Sequence, residues 1–546
     1  MASGLVPGST GKREAIAVIP SVGHRSTQAA RRKVKGRKQL MNSVPGVTVN
    51  LANIQHFVVL MLENRSFDHL LGTLKAQNPA IVGALDHEFS NLTDPAVPTS
   101  PRVSTAPATV FSMPFDPGHE FDDVQIQLYG RVSSAARKPA PRTAPAPMSG
   151  FVYSAENAAQ NSPHATLVMQ CFHPEKLPVL TTLATEFAVF NYWHSSMPGP
   201  TWPNRFFVHA ATSGGLSDSP KDADILAGYM FPAGTIYQRL QGAGKNWRIY
   251  HDGLPQTAGI DSLRAEMLNP FTRKFADMDG FEDDVRNLDF PEYVFIEPNY
   301  DTGHQYINGN SMHPLNDLRK GEQLIKRVYE SIRASSLWAT TMIVVTFDEH
   351  GGFFDHVPPP AAVSPGGDQR YKNPIDQFEF DLLGVRVPAI VASPYTQKGT
   401  VIGQVAQDYY DHTSILATLE TRFGLQALTL RDAAAQARTL ESALNLTSPR
   451  LSPEEAPLSL PMPIADGLVT RVMDFLRQSP IDNATPMSEK QRVQLTLAHA
   501  CDLQIPDPPS QVDAHRRYLS VRSQADAAQY IQEVEDKIRF RRKRPG

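Results

Sequence analysis

His56-Phe-Val-Val-Leu-Met-Leu62 is apolar after its first residue and stops abruptly at Glu63-Asn64. Thr341-Met-Ile-Val-Val-Thr-Phe347 repeats the pattern and stops at Asp348-Glu349-His350. Shorter versions are Phe187-Ala-Val-Phe190, Trp247-Arg-Ile-Tyr250 ending at His251, Tyr293-Val-Phe-Ile296 and Val387-Pro-Ala-Ile-Val-Ala392. A strand with no polar face belongs to a sheet covered by helices on both sides, usually a parallel one. Between the runs lie helical stretches, among them Gly321 to Arg333 and Asp411 to Gly424, the latter closed by a glycine where helices stop. Strands alternating with helices predict a doubly wound α/β fold with a mostly parallel sheet flanked by helices. In that architecture ligands bind at the carboxyl ends of the strands. Glu63, Asn64, His251, Asp348 and Glu349 all fall there.

The chain has 546 residues, 41% of them hydrophobic and 20% charged, enough apolar material for a large α/β domain with appendages. Disorder throughout, collagen and coiled coil are excluded by that balance. No apolar run is long enough for a transmembrane helix, and Cys171 and Cys501 are too far apart in sequence to suggest a disulfide framework or a zinc knuckle. Charge is uneven. The net value is −4, yet residues 1–46 carry +8 and the last ten residues +6, leaving the body at about −18. A body of that sign argues against nucleic-acid binding by the core. The basic ends are solvated tails or contacts for phosphate-rich surfaces, lipid or RNA. Arg31-Arg32 is followed by Lys-Val-Lys-Gly-Arg-Lys38 instead of an apolar stretch, so no export signal is expected and the chain as written reads as cytoplasmic. The layout expected is a basic arm over 1–46, a catalytic body over 47–435, and a helical appendage over 436–546, with helices at Asp466–Gln478 and Ser488–Asp502. Ser133 to Gly150 reads as a Pro/Ala-rich loop.

Two strands thus deliver acidic or amide groups to one sheet edge. Converging carboxylates repel, and a divalent cation holds such groups together; capping of the following helices is the plainer role for either pair alone. Histidines form the next layer. His119 lies in Asp116-Pro-Gly-His-Glu120, His251 follows a strand, and His313 precedes Pro314. A histidine at such an edge is a candidate general acid or phosphate contact. No Gly-x-Ser-x-Gly elbow follows a strand and no phosphate-binding P-loop is present. Met197-Pro-Gly-Pro-Thr-Trp-Pro-Asn-Arg205 presents one hydroxyl, Thr201, between a strand and a stretch that could begin a helix.

Four blocks occur in order: Val58 to Gly72 (Val-Val-Leu-Met-Leu-Glu-Asn-Arg-Ser-Phe-Asp-His-Leu-Leu-Gly), Met197 to Arg205, Thr346 to Val357 (Thr-Phe-Asp-Glu-His-Gly-Gly-Phe-Phe-Asp-His-Val), and Asp411-His-Thr-Ser-Ile-Leu416 through Arg422-Phe-Gly424. Over residues 54 to 424 the chain resembles the bacterial phosphoesterase family, which includes phosphatidylcholine-hydrolysing phospholipases C, a related acid phosphatase and plant non-specific phospholipases C. The resemblance implies an alkaline-phosphatase-like core. It implies a divalent metal ion at Glu63, Asn64, Asp348 and Glu349, a nucleophile at Thr201, and active-site histidines at His119, His251 and His313. Threonine at the nucleophile position is what the phospholipases C carry; the acid phosphatase has serine.

The expected activity is phospholipase C-type hydrolysis of a phospholipid such as phosphatidylcholine, through a phosphothreonine and a metal ion, with peripheral membrane contact. The alternatives are a broad-specificity acid phosphatase on the same core and a non-catalytic scaffold binding acidic lipids. Where the long phospholipases of the family carry β-rich C-terminal modules, a helical tail is expected here.

Overall fold

The computed structural model describes residues 49–130, 145–160, 162–304, 306–367, 369–372, 377–465, 487–505 and 511–543. The basic N-terminal arm, most of the Pro/Ala-rich loop and the helix expected at Asp466–Gln478 lie outside the described residues.

Among the described residues, eight strands form the central sheet: β1 (His56–Leu62), β2 (Ala188–Phe190), β3 (Trp247–His251), β4 (Phe275–Ala276), β5 (Tyr293–Glu297), β6 (Thr341–Phe347), β7 (Ala389–Ala392) and β8 (Thr400–Ile402). Their order is β8-β2-β7-β6-β1-β5-β3-β4. All neighbours run parallel except at β7, which is antiparallel to β6 and to β2. Successive side chains of a strand point to opposite faces. Every residue of β6, and every residue of β1 after His56, is buried, so both faces of the sheet are covered. This is the doubly wound, mostly parallel α/β architecture.

The helices that matter for the site are α1 (Pro178–Glu186), α2 (Thr201–Ala210), α3 (Leu318–Arg333), α4 (Thr413–Phe423), α5 (Glu489–Gln504), α6 (Gln511–Ser520) and α7 (Gln524–Lys543). Helix α3 buries Leu324, Ile325, Val328 and Ile332, spaced as one apolar stripe. Helix α4 ends where Gly424 takes the left-handed conformation, at φ 67°.

From residue 49 on, the described residues form one compact unit that includes the C-terminal helices. Leu495 and Leu497 of α5 and Tyr530, Val534 and Ile538 of α7 belong to the same apolar core as the sheet. Polar contacts dock the tail as well: Gln494 Nε2 donates to Leu254 O at 3.0 Å, and Leu254 N–H donates to Glu535 Oε1 at 2.8 Å.

Register decides what the sheet edge presents. Strands β1 and β6 pair from His56 opposite Thr341 to Leu62 opposite Phe347. The next residues, Glu63 and Asp348, therefore leave the sheet side by side. His251 pairs with Glu297 of β5, and β5 separates β3 from β1. At the usual strand spacing of about 4.8 Å, that puts His251 roughly 10 Å from the end of β1 before any side-chain reach is counted.

Candidate active site

The chain turns sharply after β1. Asn64 sits in the left-handed region at φ 52°, which asparagine tolerates better than most residues. Its N–H donates to Asp348 Oδ1 at 3.1 Å. Its side-chain Nδ2 donates to Thr201 Oγ1 at 2.9 Å and contacts Glu349 Oε1. Gly351 makes the turn possible from the other side: a Cβ there would lie 2.3 Å from Asn64 O.

Thr201 is the first residue of α2, following Pro200, which provides no side-chain cap. The first N–H groups of a helix have no partner within it, so this end favours an anion. Asn204 braces the preceding loop, accepting from Met197 N–H at 3.0 Å and donating to Gly199 O at 2.9 Å. Arg205, one turn beyond Thr201, is fully buried. Its Nε donates to Asp348 Oδ2 at 2.9 Å and its Nη2 to Met61 O at 3.1 Å and Leu62 O at 3.2 Å. That single side chain ties α2 to the ends of β1 and β6, and so fixes where Thr201 stands.

The carboxylates here carry a charge problem. Burial, and next the neighbouring Asp348, pushes Glu63 up to about 8. Burial likewise pushes Glu349 up to about 7. Both oxygens of Asp348 already accept hydrogen bonds: Oδ1 from the N–H groups of Asn64 and Glu349, Oδ2 from Arg205. Glu349 Oε2 accepts from Gly351 N–H at 2.7 Å. By contrast Glu63 Oε2 and Asn64 Oδ1 are buried without a partner among the described residues. These two buried oxygens, beside the carboxylates of Asp348 and Glu349, fit a hard divalent cation.

A second group of acids, Asp68 and Asp355 with His356, brings its ligand atoms within 4.8 Å of one another. Arg386 spans it, donating to Asp355 Oδ1 at 2.8 Å and to Asp68 Oδ1 at 3.1 Å. Its guanidinium meets the charge that a metal would otherwise meet there.

A cavity of about 390 Å³ opens onto Thr201 and Glu63, with His119, His313, Tyr306 and Lys490 in its wall. His119 Nδ1 donates to Pro117 O at 2.8 Å, so its Nε2 is an acceptor, facing Lys490 Nζ at 2.9 Å. His313 Nε2 faces the same ammonium at 3.1 Å, with Asp116 Oδ1 3.6 Å away, and its Nδ1 lies 3.2 Å from Leu315 N. Burial holds His313 well below the ordinary histidine range, and Tyr306 stacks on it with ring centroids 3.8 Å apart. Lys490 Nζ also donates to Asp116 Oδ2 at 2.6 Å. Burial opposes the lysine charge, but Asp116, with Glu63 and Glu120 adding to it, holds the ammonium above its usual value.

The structure thus brings together Glu63, Asn64, Thr201, Asp348, Glu349, His119 and His313. His251 stands apart, in a different cavity, with its Nε2 accepting from Arg542 Nη1 at 3.1 Å. Strand order is the reason, since β3 lies two places from β1. Three residues of the site were not singled out from the sequence. Arg205 and Asp116 stand within motifs quoted for other residues, and Arg205 follows Thr201 by four positions, the spacing of one helix face. Lys490 gave no signal; it lies 371 positions from His119.

The Phosphoesterase family model matches residues 54–426, and the chain belongs to that family; it is a hydrolase acting on ester bonds. Among its relatives, it is 38% identical over 418 residues to non-specific phospholipase C3 of Arabidopsis thaliana, covering 75% of this chain and 76% of the plant protein. It is 27% identical over 419 residues to phospholipase C A of Mycobacterium tuberculosis, covering 69% and 74%. Of solved structures, it is similar to alkaline phosphatase from the Antarctic bacterium TAB5 at a TM-score of 0.22 and 10% identity, over 68% of this chain and 98% of the other. A likeness of that size carries no weight for the site. Lys490 lies beyond the residues that the family model matches.

Proposed function

We propose that this chain hydrolyses the phosphodiester of a phospholipid such as phosphatidylcholine in two steps, through a phosphothreonine at Thr201. The observation that carries the reading is the 2.9 Å contact from Asn64 Nδ2 to Thr201 Oγ1, which sets a hydroxyl at a helix N-terminus beside a cluster of carboxylates. The substrate class rests on the relatives named phospholipase C.

Thr201 Oγ1 passes its proton to the unprotonated Nε2 of His119 as it attacks phosphorus, and the bond to the diacylglycerol oxygen breaks, leaving the phosphocholine headgroup esterified to Thr201. The first N–H groups of α2 and the Asn64 amide face the charge that gathers on the non-bridging oxygens. The departing oxygen takes that proton from His119, with His313 beside it in the cavity wall. Water then attacks the phosphorus of the threonine ester; His119 takes its proton and returns one to Thr201 Oγ1 as the headgroup phosphate leaves, while Lys490 turns to the phosphate. Glu63 and Asn64 offer free oxygens to a divalent ion, with Asp348 and Glu349 beside them. Bound there, the ion would lower the pKa of the hydroxyl and offset charge on the phosphate. No helix among the described residues is long and apolar enough to cross a membrane, so a bilayer substrate is reached by surface contact.

The test is a side-by-side assay on phosphatidylcholine and an aryl phosphomonoester, with and without EDTA. Faster diester cleavage that EDTA abolishes is the expected result. Faster monoester cleavage moves the reading to an acid phosphatase on the same core, and diester cleavage indifferent to EDTA removes the metal.

A further inference from the structure

The basic run at the C-terminus and the displaced His251 meet in one place. A cavity of about 380 Å³, separate from the one at Thr201, lies where the end of β3 faces α7. His251 Nδ1 donates to Gly253 O at 2.6 Å, which leaves Nε2 as an acceptor for Arg542 Nη1. The imidazole is therefore neutral: burial, then Arg542, pulls it down to about 3. It contributes nothing to balance the guanidinium. The other contacts of Arg542 are Met267 O, at 3.3 Å from Nη2 and 3.4 Å from Nε, and the face of the Phe275 ring. Arg542 forms no ion pair among the described residues. Burial lowers it only to about 10, so it stays cationic at neutral pH.

Asp277 favours the Arg542 charge from a distance without forming an ion pair with it, and a largely buried cation so weakly matched is costly unless a ligand supplies an anion. Acids do border the cavity, each held by a backbone N–H. Asp252 accepts from Met278 N–H at 3.1 Å, Asp277 from Gly280 N–H at 2.8 Å, and Glu535 from Leu254 N–H at 2.8 Å. Arg539, one turn before Arg542 on α7, adds a second guanidinium to the wall. It is only loosely paired, with Asp536 at 3.9 Å. Phe275, Met267 and Ile538 give one part of the wall an apolar surface.

We propose that this cavity is a second, non-catalytic anion site that takes a phosphate group on Arg542 and Arg539, with the apolar wall against the rest of the ligand. Arginine suits phosphate because its planar fork donates two parallel hydrogen bonds. The phosphate can belong to an acidic lipid headgroup or be free in solution, and the inference does not depend on the chemistry at Thr201.

The full-length chain is titrated with inorganic phosphate by isothermal calorimetry, and cosedimented with phosphatidylcholine vesicles that do or do not contain phosphatidic acid. Arg542→Gln should remove one equivalent of phosphate binding or weaken it at least about tenfold, and Arg542→Lys should keep most of it. Weaker cosedimentation of R542Q with phosphatidic acid vesicles assigns the site to a lipid headgroup. Lost phosphate binding with unchanged cosedimentation assigns it to a soluble phosphate. If R542Q fails to fold by circular dichroism, Arg539→Gln carries the same test. Phosphate stoichiometry and affinity unchanged in the folded variant would overturn the proposal.

Discussion

Asn64 and Thr201 are 137 positions apart in the chain, yet Asn64 Nδ2 and Thr201 Oγ1 lie 2.9 Å from each other. The contact joins the end of β1 to the start of α2, and it depends on a left-handed turn at Asn64 and on Arg205 holding the helix to the strands. Replacing Thr201 by alanine should reduce turnover at least several hundredfold, whereas Thr201→Ser should keep activity within about tenfold. Steady-state kinetics with phosphatidylcholine checks both. Near-normal rates in T201A would remove the nucleophile.

Arg205 and Asp348 form a pair with no exposure of either side chain. Breaking such a pair leaves a buried charge without its partner, at a cost of about 3–5 kcal/mol. Arg205→Met should therefore lower the urea midpoint markedly and also lose activity, since α2 loses its tie to Met61 and Leu62. A stable, active R205M would show that the tie is dispensable.

Much of this arrangement was legible in the sequence and some of it was not, for reasons of geometry. Continuous apolar runs marked β1 and β6 because a strand covered on both faces has no polar residues to blur its ends. The acids following them, Glu63 and Asp348, were visible for the same reason. Strand order was not visible. His251 ends a strand as clearly as Leu62 does, yet β5 stands between β3 and β1, and no local pattern encodes that separation. Lys490 was hidden differently: it belongs to a tail helix that reads as an appendage, and only its docking brings the ammonium between His119 and His313.

That placement of Lys490 gives a further expectation. Lys490→Met should lower kcat/KM by about 10–100-fold, because the cavity loses the cation shared by Asp116, His119 and His313. Lys490→Arg should recover part of the loss, which a merely structural helix residue would not require. Equal kcat/KM in K490M and the unaltered protein would return α5 to a packing role.

Glu322 supplies a pH dependence away from the site. Burial pushes it up to about 8 from 4.5, although its Oε1 accepts from Leu180 N–H at 2.8 Å. The folded state then holds a proton that the unfolded state releases, so stability should fall as pH rises from about 4.5 to 8. The total loss is a few kcal/mol at most, of order 1.4 kcal/mol for each unit of difference. Glu322→Gln should flatten that slope in thermal unfolding followed across the range. An unchanged slope would mean that the carboxyl ionises freely in the folded protein.

The central claim is that turnover passes through a covalent phosphothreonine. Acid quenching of the protein during turnover of phosphatidylcholine, followed by digestion and mass spectrometry, tests it most directly. The account predicts one phosphocholine group, joined through its phosphate, on the peptide containing Thr201, absent without substrate and absent in T201A. Sustained turnover with that peptide unmodified, or with the phosphocholine group on another residue, would contradict it.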